Sequence, residues 1–468
     1  MKGLLFFFAA IIGMMAPKYA QSQDLLSDTL IKQLNASVEG FRERYHSPSI
    51  VVLIVHDQQV IYSESVGYID LENKIPAAAD AKYPILSMTK PFTASMLMQL
   101  VQRNVVHLDD NVNKYLPEFQ ADLAPADRNV TTLFQLATHT SGLPRNSQAD
   151  LNFTKQIDRW ILAGAKDPVI GPSTRQEFLS SLKYIKYEYP KYQYLHYGDR
   201  HYSNLGYCML GIALERAAKT DYATYIVKNI FHPLQMNNSG FITDNVNKNT
   251  LVKGYFYDEK SKSYIKAPFF KPNSALYAGG MYTTANDLAK FLSFQFEQHS
   301  ANANKILSDD NKAMMIALNI AWKPAYPFTT HEGAMLGYRS EIAFNPEMKI
   351  GWVILTNTTD FDFSRINDQV SRLILPVYDK KQGYDLHKYT GTYKLAGSSG
   401  SLEIYLKNDS LYSTYLKESI PDKPLIPSGY NQFKGDGKSN YSIGYEFLTN
   451  ENGEIKVLNM GQLMWTKQ

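Results

Sequence analysis

Ser87 and Lys90 stand three residues apart at the point where the chain turns helical. The run from Lys90 to Val101 is rich in helix formers with apolar residues at helical spacing, and Pro91 falls in the first turn, where a missing N–H costs nothing. Residues i and i+3 share a helix face, so the Ser87 hydroxyl and the Lys90 amine can meet. A serine becomes a nucleophile when a neighbour takes its proton, and a desolvated lysine can do so. Spacing alone does not choose this pair. Ser180-Ser181-Leu182-Lys183 and Ser263-Tyr264-Ile265-Lys266 fit the same pattern.

Two further clusters carry chemistry. Tyr202-Ser203-Asn204 precedes an apolar helix. A tyrosine oxygen beside a lysine ammonium would have its pKa lowered and could act as a base. An asparagine amide can hold a substrate carbonyl and hydrogen-bond the lysine; the plainer reading makes Tyr202 core packing and Asn204 the N-cap of the helix. His331-Glu332-Gly333-Ala334 leads into a strand, where Gly333 would let a substrate backbone approach an edge closely. His196-Tyr197-Gly198 fits the same three-residue pattern.

The elements that must position these groups follow from periodicity. Leu26, Leu30, Leu34, Val38 and Phe41 mark one face of a helix. Strands are predicted over Ile50–Val55 and Gln59–Ser63 with an Asp57-Gln58 turn, and again over Glu341–Phe344 and Ile350–Thr356. The stretch from Ser87 to about Ser293 reads as mostly helical. A last helix is expected over Phe363–Leu375, stopping before Pro376. Strands at both ends of a helical region predict an α+β fold, one sheet built from both ends with a helical subdomain inserted. After a polar connector come short alternating strands, Gly391–Leu395, Leu402–Leu406, Leu411–Leu416, Ser442–Leu448 and Ile455–Asn459, which predict a small all-β, barrel-like domain. The division is therefore 1–22, 23–376, 377–384 as linker and 385–468.

Composition narrows the function. With 468 residues the chain can bury a large core, and a formal net charge of +3 over that length is unlike a nucleic-acid binder. Lys2 and the apolar stretch Gly3–Met15 read as a secretory signal, with Ala20-Gln21-Ser22 offering cleavage before Gln23. No second long apolar segment follows, so the expectation is a secreted or periplasmic protein with no stable membrane span. Cys208 is the only cysteine, which rules out an intramolecular disulfide and reads as a buried small hydrophobe. The ten histidines show no metal-ligand spacing, so neither metal nor cofactor is expected. The 33 tyrosines leave open surface packing or a substrate-facing groove.

Order and context single out Ser87. The stretch from Ser49 to Phe119 resembles the serine β-lactamase and penicillin-binding-protein superfamily, most closely its class C-like branch. Ser87 and Lys90 match its Ser-x-x-Lys motif, Tyr202 and Asn204 its Tyr-x-Asn motif, and His331 to Gly333 its third motif, in the right order. Leu136-Ala137-Thr138-His139-Thr140-Ser141-Gly142-Leu143-Pro144 is similar to the family's HTSGLP loop, Pro233-Leu234-Gln235-Met236 to its Pro-Leu-Gly-Met, and Tyr277 to Leu288 to a further helix start. The resemblance covers roughly Leu26 to Leu375 and implies a β-lactamase/transpeptidase-like fold. It implies Ser87 as acylated nucleophile, Lys90 and Tyr202 sharing proton transfer, and the N–H groups of Ser87 and Ala334 as oxyanion hole. Asn204 would orient substrate and His331 would line the opposite wall, while His139 would hold its loop by hydrogen bonds. The β tail resembles lipocalin-like appendages of some relatives.

Two departures bear on substrate. Tyr197-Gly198 stands where the family has Pro-Gly, after a segment carrying Tyr184, Tyr187, Tyr189, Tyr192 and Tyr194. Glu332 stands where penicillin-recognising members carry a small hydroxyl. An inward glutamate would repel an anion, favouring esters or amides without a nearby carboxylate or substrates bearing an amine, with Arg339 as a possible rescuer of carboxylate binding. The expected function is a serine hydrolase forming an acyl-enzyme on a small-molecule or peptide substrate, of peptidase/esterase, D-alanyl carboxypeptidase or class C-like β-lactamase type. The alternative is a non-catalytic penicillin-binding or scaffold protein. Oligomeric state is not legible.

Overall fold

The computed structural model describes residues 26–121, 130–189 except 164–170, 201–296 except 270, 306–378 except 326, and, of the C-terminal part, 386–395, 398–408, 410–415, 424–429, 431–435, 444–450, 453–460 and 463–468. The signal segment 1–22, most of the connector 377–384, Tyr192, Tyr194 and Tyr197-Gly198 lie outside the described residues.

The elements that build the site are, in chain order, α1 (Asp28–Arg44), β1 (Ser49–His56), β2 (Gln59–Asp70), β3 (Ile75–Pro76), α2 (Thr89–Gln102), α3 (Leu133–Thr138) and α4 (Asn204–Ala218). They are followed by α5 (Asp309–Ala317), β4 (Lys323–Ala325), β5 (Phe328–Met335), β6 (Tyr338–Asn345), β7 (Ile350–Thr356) and α6 (Phe363–Tyr378). The strands form a seven-stranded antiparallel sheet in the order β3-β2-β1-β7-β6-β5-β4, so the two ends of the region do join in one sheet.

β1 is apolar on both faces, and both are used. Ile50, Val52 and Ile54 pack with Trp352 and Ile354 beneath α1 and α6, while Val51, Leu53 and Val55 face the helical subdomain. Within that subdomain α2 is buried nearly all round, from Thr89 to Leu100, including the polar Thr89, Lys90, Thr93, Ser95 and Gln99. It is the axle on which Ser87 and Lys90 are mounted.

Three expectations need correcting. α6 runs through Pro376 to Tyr378. A proline that close to a helix end forfeits one backbone bond, while Ile366, Val370 and Ile374 keep the helix packed on the sheet. The central stretch contains short strands, Gly240–Phe241, Tyr255–Asp258, Ser263–Lys266 and Met281–Thr283, too brief for a clear period-2 signal. Among its described residues the all-β tail has eight strands in one sheet where five were expected: β8 (Gly391–Leu395), β9 (Ser401–Lys407), β10 (Ser410–Ser413), β11 (Leu425–Gly429), β12 (Gln432–Gly435), β13 (Gly444–Thr449), β14 (Ile455–Met460) and β15 (Leu463–Lys467). β11 escaped because its Pro427 and Gly429 read as turn residues; it is an edge strand, where proline is tolerated. Tyr389, Tyr393, Phe433, Phe447 and Trp465 fill the tail's interior. Thr449 of β13 donates to the Ala317 carbonyl at the end of α5, 3.3 Å away. Among the described residues no helix is long and apolar enough to cross a membrane.

Candidate active site

Ser87 sits in a single 3₁₀ turn, Leu86–Met88, that runs directly into α2. The turn is pinned on both sides. Ile85 donates its N–H to the Met281 carbonyl (3.0 Å), and the Ser340 hydroxyl donates to the Ile85 carbonyl (2.8 Å). Leu86 takes a left-handed conformation (φ 52°), a strained geometry for a leucine that re-aims the chain just before the serine. One turn on, the fully buried Lys90 donates from Nζ to Ser87 Oγ (2.9 Å), Asn204 Oδ1 (3.0 Å) and the Ala278 carbonyl (2.9 Å). Burial pulls its pKa down to about 7, and the positive charges of Arg145 and Lys323 push the same way. Three acceptors favour the ammonium and desolvation favours the amine, so both forms are populated at neutral pH. The other two serine–lysine pairs have no such setting. Ser263 and Lys266 lie exposed on a two-stranded hairpin, and Ser180 and Lys183 lie exposed at a helix end.

At the start of α4 the side chains divide the labour. Ser203, not Asn204, is the N-cap: its Oγ accepts from the Gly206 N–H (2.9 Å) and donates to the Pro144 carbonyl (2.6 Å). Asn204 is thereby free to bridge, with Oδ1 on Lys90 and Nδ2 donating to Asn146 Oδ1 (2.9 Å). The Tyr202 ring lies 4.8 Å from Lys90 Nζ. His139 packs on that ring (centroids 4.4 Å apart), and its Nδ1 accepts from the Ser203 N–H (3.1 Å). His139 itself closes α3 in a left-handed conformation. It thus ties the HTSGLP-like loop to Tyr202 and sets the phenol's orientation. The expected lowering of the Tyr202 pKa does not occur. Loss of water around the phenol raises it, outweighing the Ser87 hydroxyl, Lys323 and Arg145, which pull it back. At neutral pH Tyr202 therefore keeps its proton.

β5 presents alternate residues to its two faces. Glu332 and Ala334 pair in register with Glu341 and Arg339, and Glu341 reaches Asn367 of α6, so these residues lie on the α6 side. His331 and Gly333 lie on the other. His331 is buried, hydrogen-bonded through Nδ1 to the Ala321 carbonyl, and driven well below its ordinary pKa by burial and then by Lys323 and Lys90. Expected to line the opposite wall, it lines neither cavity; it lies buried against the Ser87 backbone as a neutral imidazole. Gly333 also has a different task. A Cβ there would collide with the Ile85 carbonyl and Ser340 Oγ, so the glycine admits the backbone leading to Ser87, not a substrate backbone. Glu332 lies at the rim, 3.9 Å from Lys323, so its charge is partly offset. Glu341, opposite it, is pushed up to about 8 by burial first and then by Glu332, leaving it a neutral acid at pH 7.

Two cavities meet at Ser87, and Arg145 and Ala334 line both. One, about 390 Å³, is polar and is completed by His139, Tyr202, Lys323 and Glu332. The other, about 320 Å³, is walled mainly by apolar side chains, among them Phe153, Ile157, Leu205, Met335 and Leu336. Arg339 lines only the second, its Nε donating to the Thr359 carbonyl (2.7 Å). Sequence reasoning missed Arg145, Asn146 and Lys323. Arg145 directly follows the HTSGLP-like loop and Lys323 follows Trp322, so proximity to a motif was the available signal. Of the tyrosine-rich segment, Tyr184 is exposed and Tyr187 is bound to Thr131 Oγ1 (2.6 Å). Tyr189 stacks on His201, 3.5 Å between centroids. None of the three lines either cavity. Among the described residues no cluster of His, Cys, Asp or Glu could hold a metal ion.

Residues 34–374 match the family described as beta-lactamase. Beta-lactamase-like protein 2 of Dictyostelium discoideum is 28% identical over 351 residues, 71% of this chain and 60% of that protein. Protein flp of Staphylococcus aureus (strain MRSA252) is 25% identical over 338 residues, 70% of this chain and 62% of its own length. The chain therefore spans about three fifths of each. Among solved structures, the octameric penicillin-binding protein homologue from Pyrococcus abyssi superposes with a TM-score of 0.61 at 25% identity, over 93% of this chain and 100% of that one. A beta-lactamase/D-alanine carboxypeptidase from Yersinia pestis gives 0.57 at 22% identity, over 75% and 99%; it shares the fold, a β-lactamase/transpeptidase-like sheet flanked by helices.

Proposed function

Given that the chain belongs to the beta-lactamase family, we propose that it is a serine hydrolase that cleaves an ester or amide through an acyl-enzyme on Ser87. The observation that carries this is the Lys90 amine, buried, held near pH 7 and 2.9 Å from Ser87 Oγ. The Ser87 oxygen attacks the carbonyl carbon while its proton passes to neutral Lys90. The backbone N–H groups of Ser87 and Ala334 receive the oxyanion, where one such donor is worth about 3 kcal/mol. Tyr202 gives its proton to the leaving oxygen or nitrogen as the old bond breaks, and Lys90 returns one to Tyr202. A water then attacks the acyl-Ser87 ester, losing its proton through Tyr202 and Lys90, and Ser87 regains its own. Asn204 holds Lys90 in place and orients the substrate carbonyl side.

The leader-like N-terminus supports export to the periplasm or beyond. Peptidase, esterase, carboxypeptidase and β-lactamase activities differ in the acyl donor they accept, and intact-mass measurement separates them. A fluorophosphonate is expected to add one adduct to the wild type and none to Ser87→Ala; penicillin tests the β-lactam class in the same way. No adduct with either reagent overturns the hydrolase reading in favour of a binding or scaffold protein.

A further inference from the structure

Resting on that hydrolase reading, we infer that Thr93 and Tyr222 are positioning residues for Lys90: their hydroxyls form a buried relay that holds the Leu276–Gly279 turn, and with it the Ala278 carbonyl, on the lysine. Two of the three acceptors of Lys90 are explained by the site itself. Ser87 is its reaction partner, and Asn204 is fixed by Asn146. The third, the Ala278 carbonyl, belongs to a single helical turn of four residues, too short to hold its own direction. Something outside the turn must aim it.

Thr93 stands one turn beyond Lys90 on the same face of α2, and its Oγ1 lies 2.7 Å from the Tyr277 carbonyl. Two consecutive carbonyls, those of Tyr277 and Ala278, are thus received by Thr93 and Lys90. The Thr93 hydroxyl has one proton to give. It goes to Tyr277, since the other acceptor in reach, the Thr89 carbonyl, is 3.4 Å away. The Tyr222 hydroxyl, 2.6 Å from Thr93 Oγ1, must then be the donor of that pair. Run from Tyr222 through Thr93 to Tyr277, each proton is spent once and each bond polarises the next. The Tyr277 ring is wedged from the other side. Gly211 of α4 lies so close that a Cβ there would run into it, and the Tyr277 hydroxyl accepts from Arg175 and donates to Glu215 (3.2 Å). Glu215 also accepts the Tyr222 N–H (3.3 Å), which closes the frame. Thr93 and Tyr222 are fully buried and line neither cavity, so substrate contact does not account for them. Besides Ser87 and Asn204, the polar and charged groups facing Lys90 are Tyr202, Tyr207, Cys208, Arg145, Lys323 and His331. The relay hydrogen-bonds to none of them and reaches Lys90 through the Ala278 carbonyl.

Thr93→Val keeps the side chain's shape and removes its hydroxyl. The Tyr277 carbonyl and the Tyr222 hydroxyl lose their partner, and the turn must shift to satisfy them. Lys90 then loses an acceptor that favours its ammonium, so the neutral amine is reached at lower pH. In acylation by a fluorophosphonate, the rising limb of the pH–rate profile is expected to move down by about half a unit to one unit, and the plateau to fall about tenfold as the amine loses its aim. KM for a neutral nitrophenyl ester should stay within about twofold, because neither cavity wall changes. Thr93→Ser, which restores a hydroxyl without the methyl, should return limb and plateau to wild type; Tyr222→Phe should move the limb the same way by less. A limb that stays put in Thr93→Val, or moves equally in Thr93→Val and Thr93→Ser, overturns the inference. Should the valine variant not fold, an unmoved limb in Tyr222→Phe overturns it. NMR titration of lysine labelled at Cε, with Lys90 assigned by Lys90→Met, reads the same shift in the resting protein. A shifted Lys90 in a protein that no fluorophosphonate acylates would overturn the hydrolase reading alone; an unshifted Lys90 overturns the relay, whatever the acylation.

Discussion

The two cavities beside Ser87 are made of different material. The apolar cleft draws its walls from helix Leu151–Ala163, from α4 and from the end of β5, where shape and apolar contact suffice. The polar cavity draws its charges from a loop residue, Arg145, and from the sheet's edge strand, Lys323, around a tyrosine fixed by His139. Beneath both, Ser87, Lys90 and Asn204 stand on buried helix starts. The comparison separates two demands: reacting atoms need rigid, desolvated supports, whereas the charges that select a substrate can stand partly exposed on the rim. On the hydrolase reading, the chemistry would be common to both cavities and the cavities would differ in what they select.

The largest expected effect lies beneath both. Lys90→Ala removes the proton acceptor and should lower kcat/KM by about 10²–10⁴ for every ester, whatever its charge, because neither cavity wall is touched. Stopped-flow acylation by a fluorophosphonate would show it. A loss confined to carboxylated substrates would instead make Lys90 part of an anion site.

The next effect distinguishes the cavities. With Lys90 lowered to about 7, the amine is neutral above that pH and protonated below it. The acylation rate should therefore climb about tenfold per unit as pH rises toward 7 and level off above. Arg145→Ala removes one repelling cation, so the ammonium becomes easier to keep and the rising limb should move to higher pH. Phe153→Ala, in the apolar cleft, should leave the limb where it is. A pH–rate profile for each variant decides this, and an equal shift in both would erase the electrical difference between the cavities.

What could be read beforehand follows the same split. That Ser87, Lys90, Tyr202 and Asn204 come together in space was legible from motif type and order, and the α+β organisation was legible because strand-like runs stand at both ends of a helical region. The reversal of the Tyr202 pKa was not, since the balance of desolvation against neighbouring charge exists only once the phenol is placed. Nor was the facing of His331 and Gly333. On a strand, one residue of register decides which side chain meets the cavity, and the motif carries no register. Arg145 was missed because a lone cation on a loop has no periodicity to betray it, and Lys323 because a three-residue edge strand is too short to show one. The edge strand β11 and the capping role of Ser203, beside an equally plausible Asn204, failed for want of a local signal strong enough to choose.

Gly333 gives a smaller, structural test. Gly333→Ala places a methyl against the Ile85 carbonyl and Ser340 Oγ, neither of which can move without dragging the turn that holds Ser87. A stability loss of about 1–3 kcal/mol is expected, read as a lower thermal midpoint, with slower acylation on both neutral and carboxylated esters. Full stability in the alanine variant would mean that β5 does not brace the turn carrying Ser87.

The smallest effect is the most discriminating. Glu332 and Lys323 are each about a third exposed and 3.9 Å apart, a class of ion pair worth at most about 1 kcal/mol. Glu332→Gln should therefore leave the thermal midpoint nearly unchanged and raise kcat/KM for a carboxylated ester only about threefold, because Lys323 loses a competitor for the substrate's charge. A neutral ester should be unaffected. A hundredfold gain would mean that Glu332 itself faces the substrate and repels anions, as its place in the motif first implied. A loss would mean that Glu332 holds Lys323 in position, and the charge of the polar cavity would then depend on that carboxylate.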